Sequence, residues 1–174
     1  MSEQLIRELI RDVPNFPSEG ILFKDITPVL RDPKALAYAV ESFAKLSDSY
    51  DLVAGVEARG FIFGAAIAQY AGKGFVPIRK SGKLPAASYS ESYALEYGEN
   101  TLQIHQDAIN AGERVLLIDD VLATGGTLAA AAKLVERCGG QVDTVAVLME
   151  IAGLGGRTNF TNLYPQLAIE VLLT

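Results

Sequence analysis

The sequence predicts an α/β fold: a mostly parallel central sheet flanked by helices on both faces. Two observations carry the prediction. A short apolar run, a segment with helical spacing and a second apolar run follow one another over residues 52–78, and the same order returns over residues 114–148. Parallel strands need a crossover, and a helix supplies it, so two such units imply a sheet covered on both sides. A length of 174 residues fits one domain with a sizeable core.

Each element has its own signal. Leu5, Ile6, Leu9 and Ile10 share one helical face, so residues 2–12 read as an amphipathic helix that Pro14 and Pro17 end. Asp32 and Pro33 form an N-cap and N1 pair for a second helix reaching about Ser47, with Leu36, Val40, Phe43 and Ala44 as its buried stripe. The first repeated unit is a strand over 52–56, a helix over 60–70 and a strand over 74–78. Residues 81–97, rich in Ser, Tyr, Gly and Pro, read as a long loop with some β character, and loops of that length inside a compact domain are commonly functional lids. Alternation over 101–105 predicts a strand. The second unit is a strand over 114–118, a helix over 127–137 stopped by Gly139 and Gly140, and a strand over 142–148.

Charge and composition exclude several classes. With 15 Lys and Arg against 21 Asp and Glu the net charge is −6, a field that repels polyanions, so no nucleic-acid partner is expected. Cys138 is the only cysteine, which rules out an intramolecular disulfide and fits a reducing cytoplasm. The N-terminus lacks the apolar core of a signal peptide, and no run reaches the ~18 apolar residues of a membrane span. A mean hydropathy of +0.22 agrees with an apolar subunit interface.

The chemistry concentrates in residues 115–127, VLLIDDVLATGGT. Asp119 and Asp120 stand at the carboxyl end of a buried strand, the edge where open α/β sheets bind ligands. Ala123, Thr124, Gly125, Gly126 and Thr127 then lead into a helix whose first N–H groups have no intrahelical partner and face whatever anion sits there. The segment is no nucleotide P-loop, because Gly126 rather than Lys precedes Thr127. The nearest approach to GxGxxG, at Gly72 and Gly74, fails at Pro77. Each feature alone is an ordinary strand end or turn; the ordered set describes a pocket for a monophosphate with a hydroxylated group beside it.

This segment closely resembles the 5-phosphoribosyl diphosphate signature of the type I phosphoribosyltransferases. Asn15-Phe16-Pro17, GILFKDITP at 20–28, Glu57-Ala58-Arg59-Gly60-Phe61, IRKSGKLP at 78–85 and YALEYG at 93–98 resemble the adenine-using branch of that family. The resemblance implies the type I fold over residues 1–174 as a single domain, with a small N-terminal hood at 1–30 and a flexible catalytic loop at 81–97. It implies purine salvage: adenine and 5-phosphoribosyl 1-diphosphate go to AMP and diphosphate, in a homodimer, with Mg²⁺ held mainly by the substrate and no metal ligand assigned to the protein.

The resemblance also distributes roles. Asp119 and Asp120 handle the ribose hydroxyls and residues 123–127 the 5-phosphate. Leu22, Phe23 and Lys24 recognise adenine, with Tyr97 and Ile151 packing beside it. Arg59, Lys83 and Arg79, in that order of preference, hold diphosphate oxygens, Arg59 and Lys83 acting also in catalysis. Glu96 manages the proton on the adenine ring. Taken alone, Phe23 reads equally as a core aromatic, each cation as a solvated surface group and Glu96 as a solvated loop carboxylate. His105 reads as a polar residue on a solvated strand face and Cys138 as a packing residue. Two other functions fit the same pocket: transfer to hypoxanthine, guanine, xanthine or orotate, and a regulator that senses the phosphoribosyl donor without turnover.

Overall fold

A computed structural model describes residues 3–47, 49–94 and 99–173, without the side chains of Ala94 and Glu99. The chain runs α1 (Glu3–Leu9), β1 (Arg11–Pro14), β2 (Leu22–Asp25), α2 (Thr27–Arg31), α3 (Pro33–Ala44), β3 (Leu52–Val56), α4 (Arg59–Ala71), β4 (Gly74–Lys80), β5 (Ser88–Ala94), β6 (Glu99–His105), β7 (Arg114–Leu122), α5 (Gly126–Arg137), β8 (Gln141–Glu150), α6 (Gly156–Leu163) and β9 (Ile169–Leu173).

Seven strands form one sheet in the order β5-β6-β4-β3-β7-β8-β9. The run β4-β3-β7-β8-β9 is parallel, and the β5-β6 hairpin adds antiparallel strands outside β4. Alternation along the central strands splits the core in two. Leu52, Ala54, Val56, Val115, Leu117, Val145 and Val147 pack with Leu128, Leu134 and Val135 of α5 and Phe160 of α6. Val53, Leu116, Ile118, Ala146 and Leu148 pack on the opposite face with Ala39 and Phe43 of α3 and Phe63 and Ile67 of α4. Both faces of these strands are therefore buried, which is why they read as continuous apolar runs. The predicted cap of α3 is present: the Asp32 carboxylate accepts from Lys34 N and Ala35 N, both at 2.9 Å.

The structure departs from the sequence expectations in four places. The first helix ends at Leu9, because the chain at Arg11–Pro14 pairs antiparallel with Leu22–Asp25. Residues 81–97 are not one long loop: Ser88–Ala94 is a strand whose Tyr89 and Tyr93 pack on the core, while Ser90 and Ser92 meet Gln103 and Thr101. The strand expected at 114–118 continues to Leu122, since its ladder with β8 runs on to the Leu122–Glu150 pair after that with β3 has ended. Short α2 and the C-terminal α6 and β9 had no clear periodic signal. Among the described residues no helix is long and apolar enough to cross a membrane.

Candidate active site

From β3 the chain moves outward to β4, and from β7 it moves the other way to β8 and β9. The carboxyl ends of β3 and β7 thus flank a topological switch point, where doubly wound sheets open a crevice. The β3–β7 ladder ends at the Gly55–Ile118 pair, so Asp119 and Asp120 emerge just beyond it. Opposite them α4 begins at Arg59. Its approach depends on Gly60, where a β-carbon would stand 2.8 Å from Ile118 O and 3.1 Å from Asp119 Oδ1.

Both carboxyls are buried. Asp120 N donates to Asp119 Oδ1 at 2.8 Å, and Arg59 Nη2 lies 2.9 Å from Asp120 Oδ2. That contact is an ion pair without a well-directed N–H, and it leaves Asp120 Oδ2 buried without a hydrogen-bond donor among the described residues. Burial pushes Asp119 well above the ordinary carboxylate range, and the neighbouring Asp120 charge adds to the effect. Burial raises Asp120 as well, against the pull of Arg59.

After β7 the chain turns through residues 123–125 into α5. Gly125 has φ +86°, a conformation that favours glycine, and caps α5 with no side chain, so the first N–H groups of the helix are open to an anion. The loop is closed from behind by the start of α6. Asn159 Nδ2 donates to Thr124 O at 3.0 Å.

Arg59 also reaches the N-terminal segment. Its guanidinium carbon sits 4.9 Å over the Phe23 ring, and Nη1 donates to Lys24 O at 3.2 Å. Phe16 packs edge-on against Phe23 with centroids 5.1 Å apart. Leu22 is exposed. Lys24 and Ile151 line a common cavity of about 510 Å³ with Asp12, Met149 and Glu150, so the structure brings these two predicted residues together from opposite ends of the sequence. A second cavity, about 730 Å³, lies between β5, α5 and α6 and shares Thr124, Gly125 and Gly126.

The remaining predicted cations stand in a connected group. Arg79 Nε lies 3.2 Å from Glu57 Oε2, and Arg79 Nη1 donates to Lys83 O at 3.1 Å. Lys80 N donates to the same Glu57 oxygen at 3.0 Å. Burial works against charge on Glu57, yet the Lys80 amide and Arg79 hold its carboxyl below the usual range. The Lys83 side chain is exposed. Glu96 and Tyr97 lie outside the described residues.

Sequence reasoning missed Glu57, Gly156 and Asn159, which touch site residues rather than forming a motif. Glu57 stood in view two positions before Arg59, and Gly156-Arg157 resembles the family without pointing to a role; Asn159 had no local signal. His105, expected on a solvated face, is half-buried because β5 pairs beside it, and its Nε2 has no hydrogen-bond partner among the described residues. Cys138 does pack: burial pushes its thiol up, and Sγ contacts His105 O at 3.5 Å.

Residues 26–158 match the family model of the phosphoribosyl transferase domain. The adenine phosphoribosyltransferase of Caldanaerobacter subterraneus subsp. tengcongensis is 55% identical over 154 residues, covering 87% of this chain and 89% of that protein. The crystal structure of adenine phosphoribosyltransferase from Thermoanaerobacter pseudethanolicus superposes with a TM-score of 0.91 at 50% identity over 98% of both chains. The Saccharomyces cerevisiae adenine phosphoribosyltransferase, solved with an imino-altritol bisphosphate and adenine, gives a TM-score of 0.87 at 37% identity, again over 98% of both chains. A type I arrangement of the sheet, with the acidic pair and the Ala123–Thr127 turn at its switch point, and these matches over most of the chain place it in the phosphoribosyltransferase family, among the adenine phosphoribosyltransferases.

Proposed function

We propose that the protein transfers the 5-phosphoribosyl group of 5-phosphoribosyl 1-diphosphate to N9 of adenine, giving AMP and diphosphate in purine salvage. One observation carries the assignment of roles: Arg59 joins the Phe23–Lys24 segment to Asp120 across the switch point. Base, diphosphate and ribose must meet there for a glycosidic bond to form.

The 5-phosphate sits against residues 123–127, held by N–H groups at the start of α5 and the hydroxyls of Thr124 and Thr127. Asp119 and Asp120 accept from the ribose hydroxyls, and their negative charge favours a sugar cation at C1. Adenine lies on Phe23, its edge read by the backbone of Leu22 and Lys24, with Ile151 and Tyr97 closing the pocket. Backbone donors and acceptors have a fixed pattern, so a 6-oxo purine leaves one unpaired. As the C1–O bond breaks, diphosphate leaves with the bonding electrons, steadied by Arg59, Lys83 and Arg79. N9 forms the new bond to C1, and the proton it sheds passes through Glu96. The β5–β6 hairpin, whose connection carries Glu96, keeps water from the cationic sugar.

Two adjacent buried carboxyls, one with an oxygen free of hydrogen-bond donors, fit Mg²⁺ carried chiefly by the oxygens of the donor's diphosphate and ribose. When bound, the ion neutralises charge on the leaving diphosphate. Exposed Ile62 and Tyr70 on α4 support a homodimer, and the single cysteine supports a cytoplasmic place.

The test is turnover with Mg²⁺, the phosphoribosyl donor and each of adenine, hypoxanthine, guanine, xanthine and orotate. AMP from adenine, lost in Asp119→Asn/Asp120→Asn, is the expected result. Faster turnover of another base overturns the acceptor, and donor binding without any nucleotide product overturns the enzyme. Light scattering of the same sample gives the oligomeric state.

A further inference from the structure

The start of α6 stands directly behind residues 123–127. Gly155, with φ +67°, turns the chain into the helix. Gly156 is buried against Ala123 so closely that any β-carbon there would overlap the Ala123 carbonyl. From the other side, a β-carbon on Gly125 would stand 2.5 Å from Gly156 O. One turn further on, Asn159 Nδ2 donates to Thr124 O, the one side-chain hydrogen bond made to residues 123–127 among the described residues.

The helix that carries Asn159 is well anchored. Phe160 is fully buried and stacks on Tyr164 with centroids 5.3 Å apart. Arg157 pairs with Glu150 at the end of β8 and donates to Ile169 O at the start of β9. A donor on so fixed an element can hold its acceptor in one orientation.

The acceptor matters because of what lies across its peptide bond. In a trans peptide the C=O of one residue and the N–H of the next point in opposite directions in one plane. With Thr124 O held toward α6, the Gly125 N–H must face away from α6. Gly125 is buried, and its N–H donates to no acceptor among the described residues, although a buried amide ordinarily finds one.

We infer that Asn159 is a positioning residue of the phosphate loop: its amide holds the Thr124 carbonyl on the α6 side, and the trans peptide thereby presents the Gly125 N–H to the donor's 5-phosphate. The inference rests on the assignment of residues 123–127 to that phosphate. Gly156 serves the same end by letting α6 come close enough for the hydrogen bond to form.

The test compares the wild-type protein with Asn159→Ala and Asn159→Asp in three measurements: ribose 5-phosphate binding by calorimetry, steady-state kinetics, and thermal unfolding. Loss of one neutral hydrogen bond at an exposed side chain should weaken ribose 5-phosphate and raise KM for the donor about 3- to 10-fold in Asn159→Ala. The values of kcat, KM for adenine and Tm should stay near wild type. Asn159→Asp keeps the shape but turns an oxygen toward the Thr124 carbonyl and adds negative charge beside the phosphate, so its loss should be larger, on the order of 30-fold. Wild-type affinity in both variants overturns the role of Asn159. So does an equal loss in the two variants that tracks a fall in Tm and kcat, since that marks a brace for the fold alone. A wild-type protein that does not bind ribose 5-phosphate overturns the phosphate assignment itself.

Discussion

Arg59 Nη2 lies 2.9 Å from Asp120 Oδ2, and the same guanidinium covers the Phe23 ring and donates to Lys24 O. One side chain thus touches the segments proposed for base and ribose, and is itself proposed to hold the diphosphate. Without substrate it offsets the charge of a buried carboxylate. On the proposed roles, ribose hydroxyls would take over Asp120 when the donor binds, which would free the guanidinium for the diphosphate. Arg59→Ala should therefore lower kcat/KM by about 10² to 10³, the usual cost of one preorganised donor at a developing charge. Arg59→Lys should recover little, because a point charge lacks the planar fork and stacks poorly on Phe23. A double-mutant cycle with Asp120→Asn in steady-state kinetics should give a coupling of about 1–3 kcal/mol. Additive losses would show that the pair does not act together.

Asp119 lies beside that pair and titrates in the opposite sense from a salt-bridged acid. Burial and the Asp120 charge raise its folded pKa above the unfolded value. Its contribution to stability is therefore fully present below the unfolded pKa and lost as pH rises through the folded one. Above that point two charges share a buried site. Asp119→Asn is neutral at every pH and should be more stable than wild type near pH 8, by about 2 kcal/mol or roughly 4–8 °C in Tm. The gap should close as pH falls below about 3, under the unfolded Asp value of about 3.9, where the acid is protonated in both states. Turnover should fall in the same variant, because the amide cannot carry charge opposite a sugar cation. Thermal unfolding across pH checks the first claim and kinetics the second.

Glu91 ties the β5–β6 hairpin to α5. Its carboxylate lies 2.9 Å from Lys133 Nζ and 2.8 Å from Arg137 Nη1. Arg137 also donates to Ser90 O at 2.7 Å and lies 4.7 Å over the Tyr89 ring. Burial opposes its charge, but the hydrogen bonds from Lys133 and Arg137 hold the Glu91 carboxyl below the usual range. Glu91→Gln should loosen the hairpin without unfolding the domain. Amide exchange over β5 and β6 should quicken, while β3 and β7 stay protected, and kcat should drop about 3- to 10-fold because the lid that carries Glu96 is less well placed. Unchanged exchange would mean that the tyrosines alone hold the strand.

The sequence shows parts of this machinery and hides others for physical reasons. Leu52–Val56 and Val115–Ile118 are buried on both faces, so every position is apolar and the strands are plain. Ser88–Ala94 is also a strand, but its core-facing positions are Tyr89, Glu91 and Tyr93, and a carboxylate neutralised by partners 42 and 46 positions away (133 − 91 and 137 − 91) reads as a loop. The β1–β2 ribbon has no fully buried residue and leaves no period to find. In the site, Asp119, Asp120 and residues 123–127 fall within one short stretch of the chain, and a motif captures them. The contacts between Glu57 and Arg79 and between Asn159 and Thr124 span 22 and 35 positions and exist only because of the order in which the strands lie.

The close approach of α4 to β7 gives a test of that dependence. Gly60 lets α4 sit against β7, and a β-carbon there would meet Ile118 O at 2.8 Å, a backbone atom in the middle of the sheet that cannot swing aside. Gly60→Ala must therefore move the helix, at a cost of about 1–3 kcal/mol. Arg59 opens that helix and should lose its alignment on Asp120 with it. Gly74→Ala is the control: its β-carbon would stand 4.0 Å from Leu52 Cβ, an ordinary contact. Both variants should remain folded at 25 °C, because the cost is a fraction of the usual stability of about 5–15 kcal/mol. A drop in kcat/KM of about tenfold or more in Gly60→Ala, beside near wild-type values in Gly74→Ala, would then report a displaced Arg59 rather than a smaller folded population. If kcat/KM follows only the folded fraction measured by circular dichroism, the position of α4 does not control the chemistry.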